Sequence, residues 1–471
     1  MHSGKMTKIV ATIGPVSEDD HTLKHLIKAG VNVFRFNMKH NVKEWHEERI
    51  KRVQACASEM GVTVGVLIDL QGPEIRINTP AQVTYDVSIG DTIYFTENPE
   101  DVNLEFPTVI LDKKHVLKHL EIGDKFSIDD GFMEFETITI DKNTALAKVL
   151  DAGKIKNRKS LNLVGKNIDL PSLTQSDLER LDIASRTKVD FIALSYVRSA
   201  SDVKTLRKEI SARNLKFKIV AKVENEMGVN NINEIIEASD AVMVARGDLG
   251  VEVPIEKLAL MQKEIIEKCR LKNKQVIVAT QMLQSMVENS MPTRAEATDI
   301  ANAVFDGTDA IMLSNETASG KYPVKAVETM KRIAKYNETH TSFDDFTPIV
   351  KDQTNAIVKS AITMIDSNLL HIDKIVVFTD TGYTAKVVSS YRQKKPVIAV
   401  SSDKESIEAL TLCYGVIPIH LKFPNGEFTY NFIDDRVKEI GQIKEGETIL
   451  VIHGRKWHDP GQTNAVVIYK V

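Results

Sequence analysis

The stretch that decides the fold begins Lys218-Ile-Val-Ala-Lys222-Val-Glu224-Asn225 and ends Ala241-Val-Met-Val-Ala245-Arg246-Gly247-Asp248-Leu249-Gly250. Each of these two segments is a short β-rich apolar run that stops at charged or glycine-rich positions. Side chains two apart on a strand share a face, so Lys222 and Glu224 point the same way. Arg246, Gly247 and Asp248 follow the second run directly. That layout suits an anionic substrate beside a hard metal ion.

Similar runs recur on both sides of this stretch. Lys8–Ile13, Val31–Asn37, Thr63–Leu70, Phe191–Tyr196, Val276–Thr280 and Ala310–Ser314 bring the total to eight. Helical patterns fill most of the gaps, among them Asp20–Ala29, Trp45–Met60, Ser201–Arg213 and Ile255–Lys272. Strands alternating with helices predict a parallel sheet, and eight such units close into a (β/α)8 TIM barrel of the α/β class. One gap is too long for a single helix. From Pro73 to about Pro171 the pattern turns to alternating runs with turn signals, at Gln82–Ser88, Thr92–Phe95, Lys125–Ser127, Met133–Ile140 and Ala145–Leu150. This predicts an inserted β-barrel lid domain after the third strand, emerging at the face where barrel active sites lie. Beyond about Thr341 the strand–helix rhythm restarts, with strands at Ile375–Thr379, Val397–Ser401, Val416–Leu421, Thr448–His453 and Ala465–Val471 and helical patterns between the first four. The expected division is therefore a barrel over 1–72 and 172–340, a lid over 73–171, and a C-terminal α/β domain over 341–471.

Composition sets limits on this reading. A chain of 471 residues predicts two or three domains, and 42% hydrophobic with 27% charged residues is ordinary for a globular enzyme. A formal net charge of −4 gives no sign of a nucleic-acid surface. No apolar run reaches the roughly 18 residues of a membrane span. The first residues, Met-His-Ser-Gly-Lys-Met, lack the apolar core of a signal peptide. Cys56, Cys269 and Cys413 lie far apart with no metal spacing, which fits a reducing, cytoplasmic compartment.

The polar residues gather where the barrel strands end. Arg35 and Asn37 close the second strand, Asp69 the third, Lys222 and Glu224 the fifth, and Thr280 the seventh. Arg246 and Asp248 follow the sixth, and Ser314 with Glu316 ends the eighth. Convergence from six strand ends is the pattern of a barrel active site. Glu224 and Asp248 suit Mg²⁺, which takes few carboxylates plus substrate oxygens and water. Arg35 and Lys222 suit a phosphate or a developing enolate charge. The Gly247–Gly250 turn could hold a substrate carboxylate. Together these fit phosphoryl transfer or enolate chemistry on a small acid. A ring of structural ion pairs at the barrel mouth is the other account of the same residues. No Walker or dinucleotide glycine motif and no Ser–His–Asp pairing stands out.

A set of linked motifs resembles the pyruvate kinase family along essentially the whole chain. They are Thr12-Ile-Gly-Pro15, Arg35-Phe-Asn37, Asp69-Leu-Gln-Gly-Pro-Glu-Ile-Arg76, Asp129-Asp-Gly131, Lys222-Val-Glu-Asn225, Val244-Ala-Arg-Gly-Asp-Leu-Gly250, Ala279-Thr-Gln-Met-Leu283, Pro292-Thr-Arg-Ala-Glu296, Ile311-Met-Leu-Ser-Asn-Glu-Thr317 and Gly461-Gln-Thr-Asn464. The resemblance implies a homotetramer that moves phosphate from phosphoenolpyruvate to ADP, giving ATP, and protonates the enolate to pyruvate. It implies Mg²⁺ or Mn²⁺ on Glu224 and Asp248, with Lys222 at the transferring phosphoryl group and enolate oxygen. Arg35 would contact the phosphate. Ala245, Arg246, Gly247 and Thr280 would surround the carboxylate, and Thr280 and Ser314 would flank the proton route. Pro15, Asn37, His40, Trp45, Arg76 and Lys159 map around the nucleotide, with Asp130 approaching from the lid. Thr379, Thr381, Gly382 and Thr384 map to a phosphate-binding effector loop for a sugar phosphate.

Departures from the family pattern cluster at one place. Asn37, Asp69 and the Leu70 carbonyl match positions around a K⁺ ion, but Lys39 stands where the family has a hydroxyl ligand. Its ammonium would occupy or repel the K⁺ site, or else point to solvent. Glu74 is the residue that K⁺-dependent relatives keep. Gln71 stands for a usual Lys, and Asn315 for a usual Gly. Two other functions stay open on the residues: a Mg²⁺-dependent carbon–carbon lyase on oxaloacetate-like acids, and a non-catalytic paralogue that binds phosphoenolpyruvate or nucleotide.

Overall fold

The computed structural model describes residues 4–471 apart from 104, 130, 164, 167, 169, 344–345, 368, 424–435, 437–438 and 457–460. Eight parallel strands close a barrel: β1 Lys8–Thr12, β2 Val33–Asn37, β3 Gly65–Asp69, β4 Phe191–Leu194, β5 Lys218–Val223, β6 Ala241–Ala245, β7 Gln275–Ala279 and β8 Ala310–Leu313. Closure is made by β1, which pairs with β8 at Lys8↔Ala310 and with β2 at Val10↔Val33. Every strand is apolar on both faces along most of its length, as a parallel sheet buried on both sides requires.

The period of two then divides each strand. Val33, Leu67, Ala193, Val220, Met243, Ile277 and Met312 fill the barrel interior as one cluster. Two residues further along the same faces come Arg35, Asp69, Ser195, Lys222, Ala245, Ala279 and Ser314. One face therefore carries core at mid-strand and mostly polar groups at its C-terminal end. The opposite strand faces pack on the surrounding helices in a second, larger cluster. Those helices are bounded by local signals. Asp19 caps the Thr22 N–H and Gly30 ends the first helix in the left-handed region at φ 119. Thr174 and Thr293 each make a reciprocal capping box, with Asp177 and Glu296.

The insertion builds a seven-stranded sheet in the order Leu161–Asn162, Lys125–Ile128, Met133–Asp141, Thr144–Val149, Thr92–Thr96, Thr108–Leu111, Ile77–Asn78. An antiparallel bridge between Arg76 and Ser160 draws its two ends together, so the sheet is nearly a closed barrel. Phe126 and Phe135 stack inside it, and Phe95 meets both edge-on. Gln82–Ser88 differs from its expected single strand. Pro80–Gln82 is a 3₁₀ turn with positive φ at Ala81 and Gln82, and only Tyr85–Val87 pairs as a strand.

The C-terminal unit is a five-stranded sheet of β9 Lys374–Phe378, β10 Val397–Ser401, β11 Val416–His420, β12 Thr448–Gly454 and β13 Thr463–Lys470, in the order β11-β10-β9-β12-β13. The last pair is antiparallel. Helices Tyr383–Ser390 and Lys404–Glu408 fill the first two gaps, and most of the third gap lies outside the described residues. This unit seals the base of the barrel. Leu412 joins the interior cluster, and Thr411 comes so close to Gly65 that a Cβ there would meet its Oγ1 at 2.4 Å.

Candidate active site

At the barrel mouth, Lys222 Nζ on β5 donates to Ser195 Oγ at 2.7 Å and lies 2.7 Å from Glu224 Oε1 and 3.3 Å from Asp69 Oδ1. Burial works against its charge, but Asp69 and Glu224 outweigh it and hold the ammonium above the ordinary lysine range. Arg35 on β2 grips Asp69 Oδ2 through Nε at 2.8 Å and Nη2 at 2.7 Å, and donates from Nη1 to Thr12 Oγ1 at 2.9 Å. Burial resists ionisation of Asp69, and Lys222 and Arg35 overcome it, so its carboxyl is held below the usual carboxylate range.

Glu224 and Asp248 behave differently. Glu224 Oε2 accepts the Tyr196 N–H at 2.6 Å. Burial and the Glu224 carboxylate, within hydrogen-bonding reach, push Asp248 above the usual carboxylate range. Buried Glu224, already paired with Lys222, and partly buried Asp248 face each other and together are short of one cation. Among the described residues no group of three or more His, Cys, Asp or Glu is placed to hold a metal. Two carboxylates are the kind of donor set that suits Mg²⁺ or Mn²⁺, which takes few protein oxygens and fills its shell from substrate and water.

Above these groups opens a pocket of about 510 Å³ lined by Arg35, Asn37, Lys222, Ala245, Asp248, Thr280 and Ser314, with Pro15, Lys39, His40 and Asn315 at its side. Thr280 is β-branched yet sits at φ 70, a strained conformation that is concentrated at functional sites. Its hydroxyl accepts the Gly247 N–H at 2.6 Å and donates to the Ala279 carbonyl. The Ser314 N–H donates to Glu316 Oε2 at 2.7 Å, and Glu316 Oε1 accepts the Leu283 N–H, so a buried carboxylate ties the ends of β7 and β8 together.

Other expected residues lie elsewhere. Arg246 turns away from the pocket. Its guanidinium bonds Asp299 at 2.5 Å and the Ala279 and Thr280 carbonyls at 3.3 and 2.8 Å, so it braces the loop after β7. Trp45 donates Nε1 to Glu18 at 2.9 Å and stacks on Arg49, outside the pocket lining. Lys159 pairs with Asp129 at 2.7 Å within the insertion. Arg76 binds Glu74 at 2.9 Å and borders an adjoining cleft. Asp130 is outside the described residues. In the C-terminal unit, Thr379, Thr381 and Thr384 line a small depression with Lys456 and Gln462. There Gly382 N–H donates to Thr379 Oγ1, and Thr384 meets Thr463 at 2.8 Å.

Lys39 points inward. Its Nζ lies 3.3 Å from Glu74 Oε2 and 5.8 Å from the centre of the Tyr196 ring, with the side chain 20% exposed. Its own N–H donates to Asn37 Oδ1 at 3.1 Å. The Leu70 carbonyl accepts Ser195 Oγ at 2.8 Å. Ser195 is the functional-site residue absent from the sequence-based set. It bridges Asp69, Leu70 and Lys222 from the end of the fourth strand, one of the two strand ends not among the six that carried the sequence reading, and its position two residues past the inward-facing Ala193 was the available signal.

Comparison with known proteins agrees with this geometry. The family models for the pyruvate kinase barrel domain and the pyruvate kinase alpha/beta domain match residues 4–327 and 355–469. The chain is 38% identical to a pyruvate kinase of Geobacillus stearothermophilus and 37% identical to one of Staphylococcus saprophyticus. Each alignment covers 99% of this chain and 80% of the relative. A pyruvate kinase of Staphylococcus aureus is 36% identical over the same shares.

Proposed function

The chain belongs to the pyruvate kinase family, and from that premise we infer that it transfers the phosphoryl group of phosphoenolpyruvate to ADP and protonates the resulting enolate. The observation that carries the reading at residue level is the Lys222–Glu224–Asp248 arrangement under a pocket edged by Arg35 and Thr280. Glu224 and Asp248 would hold Mg²⁺ or Mn²⁺, which supplies positive charge against the phosphate and enolate oxygens. Lys222 stays charged and is aimed by Ser195 and Asp69, so it meets the negative charge of the phosphoryl group in flight and then that of the enolate. Arg35, held by Asp69, orients the phosphate. The substrate carboxylate lies against Ala245, Gly247 and Thr280, with Arg246 fixing that wall from behind. Thr280 and Ser314 stand on the side from which a water-relayed proton reaches the enolate carbon. Pro15, Asn37, His40 and Arg76 take the nucleotide, with Trp45 and Lys159 further out.

We take the barrel as 1–72 and 172–340, the lid as 73–171 and the C-terminal domain as 341–471. Support for a lid comes from Gly131, where a Cβ would meet Val251 at 3.1 Å on the helix Arg246–Glu252 that carries Asp248. A homotetramer, a cytoplasmic location and a sugar-phosphate effector at Thr379–Thr384 complete the proposal. Free, buried Cys56, Cys269 and Cys413 support a reducing compartment. No described helix is long and apolar enough to cross a membrane.

Activity without K⁺ is part of the same reading. Asp69, Asn37 Oδ1 and the Leu70 carbonyl each already accept a hydrogen bond, and the Lys39 ammonium sits on Glu74 beside them. The test is pyruvate release from phosphoenolpyruvate with Mg²⁺, with and without ADP, in K⁺ and in Na⁺. ADP-dependent release of similar rate in both salts is expected. Release without ADP, or from oxaloacetate instead, would assign the site to a lyase, and no release at all would mark a binding paralogue.

A further inference from the structure

The insertion leaves the barrel at one crossing and returns at another, and a single buried carboxylate holds both. The outbound crossing is 71–72, just past β3, and the inbound one is 170–174, ahead of the helix Gln175–Arg186. Asp177, in the first turn of that helix, is fully buried. Its Oδ2 accepts the Thr174 N–H at 2.9 Å and the Thr174 hydroxyl at 2.7 Å. Its Oδ1 accepts the Gln71 N–H at 2.9 Å and the Gly72 N–H at 3.3 Å, from 106 and 105 residues back along the chain. A helix cap accounts for half of this. The capping box uses only Thr174, and Oδ2 serves it. Oδ1 is spent on a segment that has no part in the helix. All four partners donate, as an ionised carboxylate requires, and none is a cation. Such bonds are roughly twice as strong as neutral ones.

Each crossing is also fixed on its other side. Gly72 sits at φ 71, and a Cβ there would meet the Ser195 Cβ at 2.9 Å. The outbound crossing therefore lies directly on the residue that aims Lys222. Two residues further out, Glu74 holds Lys39 at 3.3 Å and Arg76 at 2.9 Å. On the inbound side, Arg198 donates Nη1 to the Ile168 carbonyl at 2.9 Å and Nη2 to the Leu170 carbonyl at 2.7 Å. The angle at which the insertion stands over the pocket is set where these two crossings meet, and Asp177 is what joins them.

We propose that Asp177 is the pivot of the lid, a positioning residue that keeps the outbound and inbound crossings in register so that the insertion meets ADP at the barrel mouth in the reactive arrangement. Asp177 touches no substrate. It acts through Gln71, Gly72 and Thr174, and its effect on rate rests on the transfer reaction proposed above.

The experiment compares the full-length wild type with Asp177→Asn, Thr174→Val and Thr174→Ser. Asparagine keeps the shape and loses one acceptor, valine removes the Thr174 hydroxyl, and serine restores it. Asp177→Asn is expected to raise KM for ADP and lower kcat together, with kcat/KM down about tenfold or more. Thr174→Val should move both the same way by less, and Thr174→Ser should return them to wild-type values. Mn²⁺ binding in the presence of phosphoenolpyruvate should match the wild type, since Glu224 and Asp248 are untouched. Hydrogen exchange, read by mass spectrometry, should quicken at both crossings in Asp177→Asn and stay unchanged in the barrel strands. If Asp177→Asn fails to fold, the two Thr174 variants carry the same comparison. Wild-type kcat and KM for ADP in a folded Asp177→Asn or Thr174→Val would reduce Asp177 to a helix cap and overturn the proposal. Faster exchange confined to the inbound crossing would do the same. A wild type without ADP-dependent pyruvate release would sink the reaction rather than the pivot, and exchange at the two crossings would then decide the pivot alone.

Discussion

The two ends of the barrel bury charge in opposite ways. At the base, Asp309 accepts from Arg392 Nη2 at 2.7 Å, the Tyr414 N–H at 3.0 Å and the Val276 N–H at 3.1 Å. Arg392 spends its other nitrogens on the Gly307 and Ser389 carbonyls, both at 2.8 Å. Lys8 Nζ reaches the Val416 carbonyl at 2.6 Å. These groups join the barrel to the C-terminal unit. Arg270 is one exception there. Its Nε and Nη2 have no hydrogen-bond partner, and its guanidinium lies 3.7 Å from the centre of the Phe346 ring. At the mouth, Glu224 and Asp248 are left facing each other. Saturated buried charge holds a structure together, whereas buried charge short of a partner is reserved for a ligand.

The sharpest way to break this contrast is at Lys222. Lys222→Met is expected to cut turnover about 10³-fold or more, while phosphoenolpyruvate still binds. Near-normal turnover would remove Lys222 from the chemistry. At the base, Arg392→Ala should leave turnover per folded molecule close to wild type and lower unfolding stability by about 3–5 kcal/mol, because Asp309 is left buried and unpaired. Denaturant midpoints with no shift would show that the base is not held by this pair.

Asp248→Asn separates the two ends more finely. It removes a repulsion, so the metal-free protein should gain about 1 kcal/mol, and the rise of Tm with Mg²⁺ should disappear. The same change at the base, Asp309→Asn, should destabilise. The pH dependence follows with its own sign. The folded protein holds the Asp248 proton at pH values where the unfolded chain has released it. Its stabilising contribution is therefore complete below the unfolded carboxylate value near pH 4 and is lost as pH rises through the higher folded value. Wild type minus Asp248→Asn stability, measured without metal, should fall with rising pH across that window. The smallest expected effect is at Lys39. Lys39→Ser should leave Mg²⁺ dependence intact and introduce a K⁺ requirement, read as a ratio of rates in K⁺ and Na⁺.

The same contrast explains how much could be read in the sequence. The eight barrel strands fall within about two residues of expectation, because each is a dense apolar run between turn signals. In the insertion, Ile77–Asn78, Thr108–Leu111, Gly153–Ile155 and Leu161–Asn162 escaped notice. Pieces of two to four residues show no periodicity, and Ile77 finds its partner Leu111 far along the chain. Lys222, Glu224 and Asp248 were legible from type and spacing. Ser195 was not, since a lone Ser at a strand end reads as a cap. Its role exists only once β3, β4 and β5 bring Asp69, Leu70 and Lys222 around it. The direction of the Arg246 guanidinium was not legible either, because the carboxylate that captures it, Asp299, sits on a later helix.

The most direct test of a mouth kept short of one cation is Mn²⁺ binding, followed by electron paramagnetic resonance with and without phosphoenolpyruvate. The wild type should bind one Mn²⁺ per chain at this site, more tightly when phosphoenolpyruvate is present, and Asp248→Asn should lose that binding. Equal Mn²⁺ binding by the wild type and Asp248→Asn would contradict the account.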